Sequence, residues 1–152
     1  PQSLLVAIVR EIRCRNSDVH ILCDARASRV DALKSLGQQA EGIICPCLIP
    51  NDSQTSHDFV EAFRKEFGVE PDYAVLLTYD AVQVLVDAIA RSVQGEHDNI
   101  DRVDIYKHLI ALSPYRGIFG TIEWDKVNAN KCRVVPGIIR NGKLIPESRV
   151  PE

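Results

Sequence analysis

Methionine is absent from all 152 residues of the chain. Translation begins on methionine, so a chain opening Pro1-Gln2-Ser3 is expected to be a processed or truncated product. Long apolar runs are missing too. A membrane span takes about 18 consecutive apolar residues, and Leu4 to Val9 falls far short. Residues 1–15 lack the basic start and the small-residue end of a secretory signal, so any targeting segment is expected outside the chain. Cationic runs stop at the pair Arg64-Lys65, and the aromatic residues, 6% of the chain, do not interleave with cations. Nucleic-acid binding needs a concentrated positive face, and a net charge of −3 without such a cluster argues against that partner. With 45% hydrophobic and 26% charged residues, the composition is that of a globular protein with one core's worth of chain.

Periodicity supplies the elements. Leu5, Ile8, Val9 and Ile12 repeat at helical spacing across 3–13, and Asn16-Ser17-Asp18 breaks the pattern. Val19 to Cys23 reads as a short buried strand. Ser28 and Asp31 have the spacing of a capping box, and Val30, Leu33 and Leu36 continue one helical face up to Gly37. Gly42 to Ile49 is β-prone around its Cys-Pro-Cys. Phe59, Phe63 and Phe67 stand one turn apart on the next helix, a stripe read as core-facing rather than as a ligand platform. From Tyr73 to Val93 nearly every face is apolar, which predicts burial on nearly all sides. A further helix carries Val103, Tyr106, Leu109 and Ile110 on one side. Alternation from Ile118 to Trp124 predicts a strand, and Arg133 to Arg140 another, with Pro136-Gly137 marking an edge or a bulge. Asn141-Gly142 is a two-residue hairpin signal. The alternation of helices and strands describes an α/β protein.

No catalytic or metal constellation emerges. His20, His57, His97 and His108 are scattered without a supporting motif, and Gly117 to Gly120 lacks the helix start and Lys-Ser/Thr of a phosphate loop. Five cysteines (Cys14, Cys23, Cys45, Cys47 and Cys132) cannot all pair within one chain. Cys45-Pro46-Cys47 is too short for a CxxC redox site, and core packing is the favoured role for these thiols. No cofactor is expected.

Several stretches, taken in order, resemble a known family. They are Ala40-Glu41-Gly42-Ile43-Ile44, then Phe59 through Asp72, Thr78-Tyr79-Asp80-Ala81-Val82 with Leu85 to Ile89, Gly117 to Asp125, and Asn141-Gly142-Lys143. Together they are similar to the C-terminal portion of the type I periplasmic binding proteins, in particular the leucine/isoleucine/valine-binding group that serves ABC importers. The resemblance implies two Rossmann-like α/β lobes closing on a small ligand. The chain would hold most of lobe two plus the returning part of lobe one: residues 1–70 in the second lobe, 71–117 in the first, and 118–152 as hinge crossover and C-terminal strands. The apolar helix at 73–93 would then find its partners in the absent part, or in a second copy of the chain.

The same resemblance implies the site. The turn Asp24-Ala25-Arg26 matches a ligand-contacting turn where relatives commonly place an acidic residue for an amino acid's ammonium; the matching position here is Ala25 or Arg26. Arg26 either points its planar fork at a ligand carboxylate or is a solvated loop cation. Tyr73-Ala74 matches a ligand-facing position of the first lobe, with a core or interface role for Tyr73 as the alternative. An amino acid or carboxylate ligand, a membrane permease as partner, a periplasmic or extracellular location permissive of disulfides, and no catalysis are the further implications. A ligand-sensing receptor of the same fold is the second reading, and a thiol enzyme subunit a distant third.

Overall fold

The computed structural model describes residues 2–16, 18–48, 50, 52–93, 101–125, 130 and 134–147. Two compact units divide the chain: residues 1–49 with 133–152, and residues 50–132.

In the first unit, helix α1 (Gln2–Arg15) lays Leu5, Val6, Val9 and Ile12 on a core completed by Ile21, Ala27, Leu36, Ala40, Ile43, Cys45 and Ile139. Ile8, at the margin of that stripe, is half exposed. Arg13 clamps the far end of the helix: its guanidinium donates to Val19 O at 2.8 Å and to Glu41 O at 3.0 Å. A four-residue 3-10 helix at 25–28 leads into α2 (Val30–Leu36). The capping box does not form, because the 3-10 turn engages Ser28, whose hydroxyl donates to Ala25 O at 2.8 Å, and the N-cap falls on Arg29 without a side-chain bond. Gly37 ends α2 with φ 57°, outside the range an L side chain favours.

Strand β1 (Ile44–Leu48) runs antiparallel to β4 (Val134–Arg140), which pairs in turn with β5 (Lys143–Pro146). Asn141 and Gly142, both at positive φ, make the expected two-residue hairpin. β4 is the central strand, so Pro136-Gly137 marks neither an edge nor a bulge. Register explains why it is tolerated there. Ile139 N–H donates to Ile43 O at 2.9 Å and Glu147 N–H donates to Pro136 O at 2.9 Å, so odd-numbered β4 residues bond toward β1 and even-numbered ones toward β5. Pro136 therefore lacks its donor only toward the end of β5, and the pair Pro46↔Pro136 needs no N–H from either residue.

The expected strand at 19–23 shrinks to one parallel bridge, Leu22↔Ile44, flanked by Ile44 N–H to Ile21 O and Cys23 N–H to Ile44 O, each 2.9 Å. The next bond of a parallel ladder would run from residue 46 to Cys23 O. Residue 46 is proline and has no hydrogen to give. The ladder stops there.

The second unit comprises α3 (Gln54–Phe67), α4 (Tyr73–Val93) and α5 (Arg102–Ala111), with a small hairpin formed by β2 (Tyr115–Arg116) and β3 (Thr121–Ile122). Ser53 caps α3 through its hydroxyl, and Gly68 closes it in the left-handed region. The phenylalanine stripe packs as a ladder, with Phe59 against Tyr79 of α4 at a 4.5 Å centroid separation and Phe63 against Phe67 at 4.5 Å. Both rings of the Phe59–Tyr79 contact lie in the unit spanning residues 50–132. Val84 and Ala88 of α4 form a core with Leu112 and Ile122, against which Ile105, Leu109, Tyr115 and Trp124 pack. On α5 the inward side is thus Ile105 and Leu109, while Val103 and Tyr106 lie exposed. The single strand expected over 118–124 is instead the β2–β3 hairpin with 117–120 as its turn, closed by Gly117 N–H to Gly120 O at 2.9 Å.

Candidate functional site

Asp24 begins the 3-10 turn and caps it: Oδ1 accepts from Arg26 N–H at 2.9 Å. The Arg26 side chain folds back on the same carboxylate, Nε donating to Oδ1 at 3.1 Å and to Oδ2 at 2.9 Å, with Nη2 also on Oδ2. The Arg26 hydrogen bonds hold the Asp24 carboxyl below its ordinary pKa. Half or more of each side chain is exposed (59% for Arg26, 50% for Asp24), so the pair contributes little to stability. Its chemical effect is larger, since the loop presents a neutralised ion pair instead of a bare guanidinium. An incoming carboxylate must displace Asp24, whereas an incoming ammonium finds a carboxylate already oriented. Ala25, half-buried between them, offers only its backbone and methyl group.

Tyr73 and Ala74 open α4 in the other compact unit, and both are half-buried. Asp72 organises this start, its Oδ1 accepting from Ala74 N–H at 3.0 Å and Val75 N–H at 3.1 Å. The five expected site residues thus form two local clusters, 24–26 in one unit and 73–74 in the other. In the first unit an open groove of about 830 Å³ lies between α2 and the β4–β5 turn, lined by Val30, Leu33, Lys34, Gln38, Glu41 and Asn141 among others. None of residues 24–26 lines it, so it is separate from the expected loop.

Two carboxylates escaped the sequence reading. Asp80 is 2% exposed in the middle of apolar α4, and its two oxygens accept from Ile118 N–H at 2.7 Å and Phe119 N–H at 2.8 Å. Asp87, two turns on, accepts from the Tyr115 hydroxyl at 3.0 Å. Burial, and then the Asp87 hydrogen bond, push the Tyr115 phenol up to about 12. The signal was present: a lone acid in an otherwise apolar helix must find donors, and Gly117 is the residue that leaves room for it. These groups position the hairpin turn; they are fully engaged with the fold.

Among the described residues the four cysteines Cys14, Cys23, Cys45 and Cys47 are free thiols, and no group of three or more His, Cys, Asp or Glu side chains could hold a metal ion. Cys132 and His97 lie outside the described residues.

No protein-family model and no curated protein sequence matches the chain. Solved structures do. The chain is similar to the leucine-binding protein LivK of Thermotoga maritima, at TM-score 0.82 and 25% identity over 97% of this chain and 41% of that one. It is similar to the branched-chain amino acid transporter substrate-binding protein LivJ of Streptococcus pneumoniae, solved with isoleucine, at TM-score 0.77 and 19% identity over 94% and 40%. An extracellular ligand-binding receptor of Rhodopseudomonas palustris matches at TM-score 0.77 and 17% identity over 94% and 44%. The chain therefore has the type I periplasmic binding protein fold, and spans about two fifths of the length of the structures it matches. These three neighbours are a leucine-binding protein, a branched-chain amino acid transporter substrate-binding protein and an extracellular ligand-binding receptor.

Proposed function

We propose that the chain is the C-terminal part of a substrate-binding protein that delivers a branched-chain or other amino acid, or a similar small organic ligand, to an ABC importer, without catalysis. The observation that carries this reading is the match over 97% of the chain to a leucine-binding protein. The two compact units then correspond to portions of the two lobes, residues 1–49 with 133–152 in one and 50–132 in the other. The loops at Asp24-Ala25-Arg26 and Tyr73-Ala74 are the ligand-facing elements, and binding proceeds by hinge closure. Asp24 meets the ligand's ammonium, with Arg26 holding that carboxylate ionised. A periplasmic or extracellular location and a membrane permease as partner accompany this role. A ligand-sensing receptor is the second reading, favoured by the likeness to an extracellular ligand-binding receptor.

The test is isothermal titration of the complete gene product against leucine, isoleucine, valine and a panel of other amino acids and small carboxylates. Binding of at least one, weakened tenfold or more by Asp24→Ala, is the expected result. No heat with any ligand refutes the function, and unchanged affinity in Asp24→Ala refutes the role of the loop.

A further inference from the structure

Cys23 and Cys45 stand side by side. The Leu22↔Ile44 bridge and its two flanking hydrogen bonds fix a parallel register in which residue 23 neighbours residue 45. Both side chains turn to the same core, Cys45 at 2% exposure and Cys23 half-buried against it. Neighbouring strands lie about 4.8 Å apart, inside the roughly 4.4–6.8 Å range of Cα separations that a disulfide accepts. The competing pair, Cys45 with Cys47, is two residues apart along one extended strand. That spacing is about 6.7 Å, at the outer limit, and both thiols project in parallel from the same face.

We infer that Cys23 and Cys45, free thiols in the structure, close on oxidation into a disulfide that fastens the root of the Asp24–Arg26 turn to β1 where Pro46 ends the hydrogen-bonded ladder. The inference stands on register and does not depend on the ligand-binding reading. The oxidant is a low-molecular-weight disulfide. The half-buried Cys23 thiol loses its proton and attacks one sulfur, giving a mixed disulfide and one small thiolate. Cys45, deprotonated in turn, attacks the Cys23 sulfur and expels the second small thiolate. The two protons released by the cysteines end on the two small thiols. The protein pair is oxidised by two electrons and the small disulfide reduced by two. Burial, with Cys23 and Cys47 adding, pushes Cys45 up to about 11, so the second step accelerates about tenfold per pH unit across the neutral range.

The experiment exposes the full chain to oxidised glutathione, blocks remaining thiols by alkylation and analyses tryptic peptides by mass spectrometry. Cys23 falls in peptide 16–26, and Cys45 and Cys47 fall in peptide 35–64. The expected product is these two peptides joined, lighter than their sum by two hydrogens. The link persists in Cys47→Ala and disappears in Cys23→Ala. In Cys45→Ala glutathione is retained on Cys23, which reports on the first step even where the second is lost. A loop within peptide 35–64, a link that needs Cys47, a stable glutathione adduct on Cys23 of the unaltered chain, or recovery of alkylated thiols alone each overturns the inference.

Discussion

Asp80 and the turn it holds permit a quantitative test of the second unit. Asp80→Ala removes the acceptor for two buried N–H groups, those of Ile118 and Phe119. Leaving a buried donor unsatisfied costs about 1–3 kcal/mol, so the substitution should cost about 2–6 kcal/mol, the lower half applying if water enters the space vacated beside Gly117. Asp80→Asn keeps one acceptor and turns an amide donor toward the other N–H, for about half that loss. Gly117→Ala attacks the same contact from the other side. A β-carbon there would overlap the Asp80 carboxyl group, at Oδ2 and at the carboxyl carbon. No rotamer change of a side chain held by two hydrogen bonds relieves that overlap without breaking them, so the single substitution should cost about as much as Asp80→Ala.

The decisive quantity is the coupling. In the Asp80→Ala background the obstruction is gone, and Gly117→Ala should cost no more than about 1 kcal/mol, giving an interaction energy of about 2 kcal/mol between the positions. Urea unfolding read by fluorescence suits the measurement, because Trp124 is the single tryptophan and packs on the same core, its indole N–H donating to Leu109 O at 3.2 Å. Equal costs for Gly117→Ala in both backgrounds, or an Asp80→Ala loss below about 0.5 kcal/mol, would refute the reasoning.

The Tyr115 phenol should titrate near 12 by phenolate absorbance, and Asp87→Asn should bring it back toward 10. Because the folded-state value lies above the unfolded one, the proton-linked stability is intact below pH 10 and is lost as pH rises toward 12; a midpoint at 10 in the folded chain contradicts the burial and hydrogen bond described. The outer face of α4 exposes Val82, Leu85, Val86 and Val93, at 45–56%, so the chain alone should self-associate with rising concentration in light scattering, and Leu85→Lys with Val86→Lys should return it toward monomer; a monomer at all concentrations refutes this.

Helices were the most legible part of the sequence, because apolar spacing and glycine stops are local signals: α3 ends at Gly68 and α2 at Gly37 for the reason their backbone angles give. The Asn141-Gly142 hairpin was legible for the same reason. Strand context was not. Pro136 read as an edge residue because a central proline usually loses a ladder bond, and only the register opposite Pro46 reveals that the loss falls on one side and near a strand end. The strand expected at 19–23 was shortened by a proline more than twenty residues away, which no local pattern contains. The loop at 24–26 was located by family resemblance, but the closure of Arg26 on Asp24 depends on a side-chain conformation that sequence does not specify.

The apolar character of α4 can be read in two ways, and the carboxylates decide between them. Its 21 residues are long and apolar enough, by length and composition, to cross a membrane. At the centre of a bilayer an ionised Asp costs about 2.5–3.5 kcal/mol, and α4 carries two, at 80 and 87. Both point their charge into the second unit, Asp80 onto the backbone of the 117–120 turn and Asp87 onto Tyr115. Val84 and Ala88, on the same side, are buried with Leu112 and Ile122. A spanning segment would have no use for a row of small and acidic residues matched to a hairpin 28 to 39 positions later in the chain. The row Leu76, Asp80, Val84, Ala88 and Ser92 repeats every four residues and is the inward seam of a core helix.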